Sequence, residues 1–252
     1  MGSERLAIAA LLSLTGCDLV FGVTGEATPC DVATFEQVTP VEFANAEDFS
    51  FDWEETFGVI HFDGVTYEIN PVDASLTPID IGPYMNSGLA LTPEGDALFY
   101  TIVIEPFTLR GALRGEPATW VIDAGVPRGT YAGTPSADVF GPRRVMVKMR
   151  PPPDTEIIEY EDVGGRWQPV ASGPSLDTLR APNLTPDGLT MVYANRPLDG
   201  EHGVFAAQRS STTEPFGAPV KLLDGDFSNA QLVGRCSRLY TTDGVMMRRY
   251  DE

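Results

Sequence analysis

Short apolar-rich runs, each closed by Gly, Pro, Asn or Asp, are the dominant pattern along this chain. The runs over 49–53, 58–62 and 66–69 follow one another closely, and Asp63-Gly64 separates the last two. An Asp-Gly pair between alternating strands is a hairpin signal, because a two-residue turn needs positive φ and these residues tolerate it. The same composition predicts strands over 35–43, 88–91, 96–104, 118–123, 136–140, 144–149, 156–161, 166–170, 203–209, 219–223, 229–232, 238–242 and 245–250, with a strand–turn–strand over 181–195. Pro151, Pro152 and Pro153 interrupt the chain, since proline cannot donate to a central ladder. Beyond the first sixteen residues no stretch carries a helical period, so the expected class is all-β.

Two segments share one turn. Leu184-Thr185-Pro186-Asp187-Gly188 is followed by Val192-Tyr193-Ala194-Asn195-Arg196-Pro197, and Leu91-Thr92-Pro93-Glu94-Gly95 leads into Leu98-Phe99-Tyr100. Pro presets φ at the second turn position and Gly supplies positive φ, while Asp187 is expected to accept backbone N–H bonds as an Asx element. Leu89, Ala137, Leu184 and Leu232 begin corresponding positions, 48, 47 and 48 residues apart. A period of 40 to 50 residues with four short strands per unit marks β-propeller blades. Five blades fit between Phe35 and Glu252, six being the alternative. The last copy stops after three strands. Residues 35–45 resemble the stretch preceding that copy, and 35–41 are expected to supply its outer strand, closing the ring and hiding two sheet edges.

The Leu-Thr-Pro-Asp-Gly turn and the strand after it resemble the WD40-like β-propeller repeat of TolB-type domains and bacterial envelope lipoproteins. Glu94 stands where that repeat usually has Asp, and the turns over 140–143 and 234–237 depart from it. The resemblance implies a cell-envelope propeller whose turn residues Thr92, Pro93, Glu94, Gly95, Thr185, Pro186, Asp187 and Gly188 are structural.

The N-terminus carries a separate signal. Arg5 precedes an apolar run over 6–14, too short to span a bilayer but suited to a secretory leader. Leu14-Thr15-Gly16-Cys17 then resembles a lipobox. The resemblance implies a signal peptide over 1–16, acylation of Cys17, a tether over 17–34, and a propeller over 35–252. The protein would be anchored to the inner or outer membrane, facing the periplasm or the cell surface. Cys30 and Cys236 remain, an even pair in an oxidising compartment. A bridge would staple the same closure and stabilise by on the order of 5 kcal/mol. The alternative is two unrelated buried thiols.

Composition narrows the partners. With 36 acids against 17 bases the formal net charge is −19, which repels phosphate backbones and anionic headgroups, so nucleic acid is excluded as a partner. His61 and His202 are the only histidines and lack metal-ligand spacing to each other or to a cysteine. Asp199-Gly200-Glu201 and Asp224-Gly225-Asp226 are explained by turn chemistry, and Glu54-Glu55 and the acids over 159–162 by solvated edges. Trp53, Trp120 and Trp167 are expected to pack between blades. No nucleophile elbow, P-loop or Cys-x-x-Cys occurs. The expectation is a monomeric binding module for an envelope protein, peptide or glycan, without cofactor or metal. A ligand-free structural lipoprotein and a carboxylate-based glycan-active enzyme are the alternatives.

Overall fold

The computed structural model describes residues 29–32, 35–37, 43–44, 46–81, 85–92, 95–102, 108–115, 120–122, 137–140, 143–149, 155–162, 167–172, 179–195 and 200–251. Every regular element among them is a β-strand. Two short strands come first, β1 (Glu36–Gln37) and β2 (Phe43–Ala44). Next, β3 (Ala46–Phe51), β4 (Gly58–Phe62), β5 (Val65–Ile69) and β6 (Leu76–Pro78) form an antiparallel meander. Three further meanders follow. They are β7 (Met85–Leu91), β8 (Ala97–Ile102), β9 (Thr108–Arg114) and β10 (Trp120–Ile122); β11 (Ala137–Phe140), β12 (Arg143–Met149), β13 (Thr155–Asp162) and β14 (Trp167–Ser172); and β15 (Leu179–Leu184), β16 (Thr190–Asn195), β17 (Gly203–Gln208) and β18 (Val220–Asp224). The last sheet runs β19 (Asn229–Val233), β20 (Arg238–Thr242) and β21 (Met246–Asp251).

Both short N-terminal strands lie on β21, with Glu36 opposite Asp251, Gln37 opposite Tyr250, Phe43 opposite Met247 and Ala44 opposite Met246. The single run expected over 35–43 is therefore two short pairings with one partner; residues 38–42 lie outside the described set. The first strands of the sheets meet one another: β3 lies against β7, β7 against β11, β11 against β15, β15 against β19, and β19 against β3. Sheets whose first strands gather about a common axis make a β-propeller.

This packing explains why the strands read as they do. A sheet held between two neighbours buries both faces, so β16 and β17 carry near-continuous burial instead of alternation. β18, an outer strand, is only half-buried. The core is divided among the sheet-to-sheet contacts. Phe57, Val59, Ile81, Leu89, Leu98 and Tyr100 fill one, between the first and second sheets. Phe49, Phe51, Ile60, Val233, Tyr240 and Met247 fill another, between the first and last. Phe35 inserts between the fourth and last sheets against Val192, Val204, Leu232, Leu239 and Tyr250, with Val32 packed alongside. Each fully buried side chain of this size stabilises by about 1.5–3 kcal/mol.

Two strands escape the sequence pattern. β6 is only three residues and mostly exposed, and β9 contains Gly111 and two arginines. Tertiary contacts override propensity at β9: Gly111 and Ala112 are buried, and Arg114 reaches back to the first sheet, bidentate on Glu68 at 3.1 and 3.0 Å and stacked 3.7 Å above the Phe57 ring.

Candidate functional site

Among the described residues, polar chemistry concentrates at turns joining a first strand to its second in the first, second and fourth sheets. In the fourth sheet Thr185 N–H donates to the Thr190 carbonyl (2.9 Å) and Gly188 N–H to the Thr185 carbonyl (2.7 Å), with Gly188 at φ 68°. Asp187 Oδ1 accepts the Thr185 hydroxyl at 2.6 Å and Leu189 N–H at 2.9 Å. In the second sheet Gly95, at φ 70°, donates to the Thr92 carbonyl at 2.9 Å. There the acid that takes the Thr92 hydroxyl is Asp96, at 2.6 Å, while Pro93 and Glu94 lie outside the described residues. Pro186 occupies the half-buried second position of its turn.

The first sheet has the same turn in a different alphabet. Asp52 Oδ1 accepts Thr56 N–H (2.7 Å) and Phe57 N–H (2.9 Å), Oδ2 accepts the Thr56 hydroxyl (2.6 Å), and Glu55 N–H donates to the Asp52 carbonyl (3.1 Å). Glu55, at φ 58°, occupies the slot that Gly95 and Gly188 fill elsewhere. The sequence hides this copy because Asp52-Trp53-Glu54-Glu55 differs from Thr185-Pro186-Asp187-Gly188 at every aligned position.

Glu55 also corrects an expectation. The pair Glu54-Glu55 was expected on a solvated edge; Glu54 is exposed, but Glu55 is buried at 7%. Its carboxylate forms an ion pair with Arg238 and accepts the Tyr240 hydroxyl at 2.5 Å, both on β20. Burial and the Glu55 carboxylate push the Tyr240 hydroxyl well above its ordinary value. Beside this pair Gly234 N–H donates to the Trp53 carbonyl (2.9 Å), and Arg235 faces Glu54 at 3.4 Å in solvent, a contact worth little.

Deeper in, side chains of the first strands bond sideways from sheet to sheet. Asn183 Nδ2 donates to Asn229 Oδ1 (3.3 Å) and the Ala230 carbonyl (2.8 Å). Asn229 Nδ2 repeats the pattern toward Asp48 Oδ1 (2.7 Å) and the Phe49 carbonyl (3.1 Å). At Asp48 the polarity reverses: Oδ2 accepts the N–H groups of Gly88 (2.5 Å) and Leu89 (2.9 Å), and Oδ1 also accepts Phe49 N–H (2.9 Å). A second tier runs beside it, with Gln231 clasping the Phe51 backbone at 2.8 and 2.9 Å and Ser50 Oγ accepting Leu91 N–H at 2.9 Å. Burial pushes the Asp48 carboxyl up to about 6, against the pull of the Leu89, Asn229, Phe49 and Gly88 donors. The bonded partners are 46 residues apart at Asn183–Asn229 and 40 at Asp48–Gly88.

The other candidates are engaged in local contacts. His61 is buried, with Nδ1 3.0 Å from the Thr66 hydroxyl and Nε2 3.7 Å from Glu47; burial lowers its pKa and Glu47 opposes. His202 bonds Asp226, and Lys221 Nζ lies 2.6 Å from Asp224 and 3.7 Å from Glu201. Among the described residues no group of three or more His, Cys, Asp or Glu could hold a metal ion. Trp53 is half-buried in its turn, and Trp120 and Trp167 begin β10 and β14. The Cys30 and Cys236 Cα atoms are 5.7 Å apart, within the span of a disulfide. Cys30 N–H also donates to Thr190 Oγ1 at 3.2 Å, and its carbonyl accepts Gln208 Nε2. Cys17, residues 1–16 expected as a leader and most of the residues expected as a tether lie outside the described residues.

Fold and seam together define a β-propeller with laterally bonded sheets. No protein-family model matches the chain, and no curated protein sequence matches it. Among solved structures it is similar to TolB from Acinetobacter baumannii, with a TM-score of 0.57 at 10% identity over 83% of this chain. The match takes in 55% of that TolB, so this chain spans about half its length. A putative TolB from Agrobacterium tumefaciens gives 0.49 at 12% identity, covering 79% of this chain and 69% of that one. The β-propeller domain of Swd1 from Myceliophteria thermophila gives 0.48 at 10%, covering 82% and 64%. At such identity the likeness is one of fold.

Proposed function

We propose that this protein is exported, anchored to an envelope membrane through acylated Cys17, and acts as a five-bladed propeller that binds a protein, peptide or glycan. The succession of first-strand contacts, ending with β19 against β3, supports five blades. The pairing of β1 and β2 with β21 supports closure by the N-terminal segment, and the 5.7 Å approach of Cys30 to Cys236 supports a disulfide that staples it.

One observation carries the binding reading. The buried carboxylates of Asp48, Asp52 and Glu55 are each turned onto protein donors that join strands or sheets. Such groups make a rigid frame, which leaves recognition to the loops at the two ends of the sheets. The test uses the full-length lipidated protein cross-linked in intact cells. A partner recovered in stoichiometric yield is the expected result. Turnover of glycans by the purified protein, lost on removal of a carboxylate, would replace this reading with the enzymatic one. For the anchor, Cys17→Ser should move the protein out of the membrane fraction; persistence there would refute acylation.

A further inference from the structure

The place where the N-terminal segment meets the propeller selects one of its two faces. Cys30 is held at the start of β16 by Thr190, at the end of β17 by Gln208, and beside Cys236 in the turn between β19 and β20. All three points lie at the end of the sheets that carries the turns at Asp52, Thr92 and Thr185. From Cys30 the chain moves away from this face, since β1 meets the end of β21 and β2 meets its beginning. The hairpins Asp63-Gly64-Val65 and Asp243-Gly244-Val245 are at the other end, with Val65 40% and Val245 61% exposed.

We infer that the face bearing the Asp52, Thr92 and Thr185 turns lies against the phospholipid surface that holds Cys17, and that the Asp-Gly-Val hairpin face points away from it. This rests on the acylation of Cys17 proposed above. Cys17 is thirteen residues before Cys30. A flexible segment of that length has a root-mean-square reach of about 20 Å and about 45 Å when fully drawn out. The six residues of β16 alone make the propeller about 20 Å deep. Turning the hairpin face to the membrane would force the tether around the rim and along the full depth, beyond its root-mean-square reach of about 20 Å. The turn face needs no such extension. Trp53, half-buried there, suits the headgroup region, where one side of an indole is wet and the other apolar.

The test places a fluorophore on Glu54→Cys, at the turn face, or on Val245→Cys, at the hairpin face; both positions are exposed. The lipidated protein is reconstituted into zwitterionic phosphatidylethanolamine–phosphatidylcholine vesicles carrying a headgroup nitroxide, so that the net charge of −19 meets no like charge on the lipid. The label at 54 is expected to be quenched and the label at 245 to keep its emission. Equal quenching, or stronger quenching at 245, overturns the inference. A mass for Cys17 without acyl chains instead brings down the anchor itself, and the orientation with it. Inserting about thirty Gly/Ser residues between Thr28 and Pro29 should erase the difference, because the tether then reaches both faces. If the difference survives, the face binds lipid on its own account and the tether is not what orients the molecule.

Discussion

Asn229 on the last sheet donates through one side-chain nitrogen to both Asp48 Oδ1, at 2.7 Å, and the Phe49 carbonyl, at 3.1 Å, on the first. The two residues are 181 positions apart. Asp48 is the point at which a relay of amides ends, because its next neighbour presents backbone N–H groups and no carbonyl. A carboxylate accepts on both sides, whereas an amide must donate on one.

Asp48→Asn is accordingly expected to destabilise the fold by about 1–3 kcal/mol, since an NH2 group would face N–H donors in a dry site. Urea unfolding measures it. A midpoint equal to that of the unmodified protein would show that the donors at Asp48 do not constrain the seam.

The same residue sets a pH dependence. Its carboxyl rises from 3.8 to about 6 on folding, so between those values the native protein holds a proton that the unfolded chain releases. Stability from this group is complete below pH 3.8 and is lost as pH rises through 6, by on the order of 3 kcal/mol. Asp251, held below its ordinary value by Arg249 and Arg238, and Asp243, held below its own against burial by the Met246 and Val245 N–H groups and Arg248, act with the opposite sign at lower pH. Subtracting the Asp48→Asn profile from that of the unmodified protein isolates the downward step. A flat difference between pH 4 and 6 would count against it.

Glu55 combines a left-handed backbone with a buried carboxylate. Glu55→Ala should cost about 3 kcal/mol, the low end of the range for breaking a buried pair, because Arg238 keeps partial access to water. Glu55→Gly should cost about 1 kcal/mol less than Glu55→Ala, since glycine adopts φ 58° without a Cβ clash. Thermal unfolding of the two variants side by side tests this order; alanine at or above glycine would refute the strain.

Gly95 and Gly64 both have positive φ, 70° and 75°, yet differ in surroundings. A Cβ on Gly95 would collide with the Phe57 ring, whereas one on Gly64 meets nothing within 4 Å. Gly64→Ala should cost about 1 kcal/mol, the conformational term alone. Gly95→Ala should cost roughly 2 kcal/mol or more, because Phe57, covered by Arg114, must shift as well. Equal losses in denaturant titrations would show that the Phe57 side yields freely.

The bridge proposed between Cys30 and Cys236 would close a loop with a sequence separation of 206. Replacing both residues by serine should then cost on the order of 5 kcal/mol. Non-reducing peptide mapping should recover the two cysteine peptides joined. Free thiols at both positions would refute the bridge.

Much of the strand inventory is legible in the chain because alternation, Asp-Gly hairpins and Thr-Pro-acid-Gly turns are chemistry between near neighbours. The first-sheet turn was not, since Asp52 does through a carboxylate what Thr92 and Thr185 do through a hydroxyl. β9 was not, because the partners that justify Gly111 and Arg114 lie outside it.

Residue order alone thus pointed to an all-β chain of repeated short-strand units, the class that the sheets of the described residues show. Only folding decided that Asn183, Asn229 and Asp48 bond in series, that Glu55 turns inward to Arg238 and Tyr240, and that β1 and β2 share β21. The reason is separation. A polar side chain in a strand bears the same local signature whether it faces water or a neighbouring sheet, and for these side chains the neighbour is between 40 and 185 positions away.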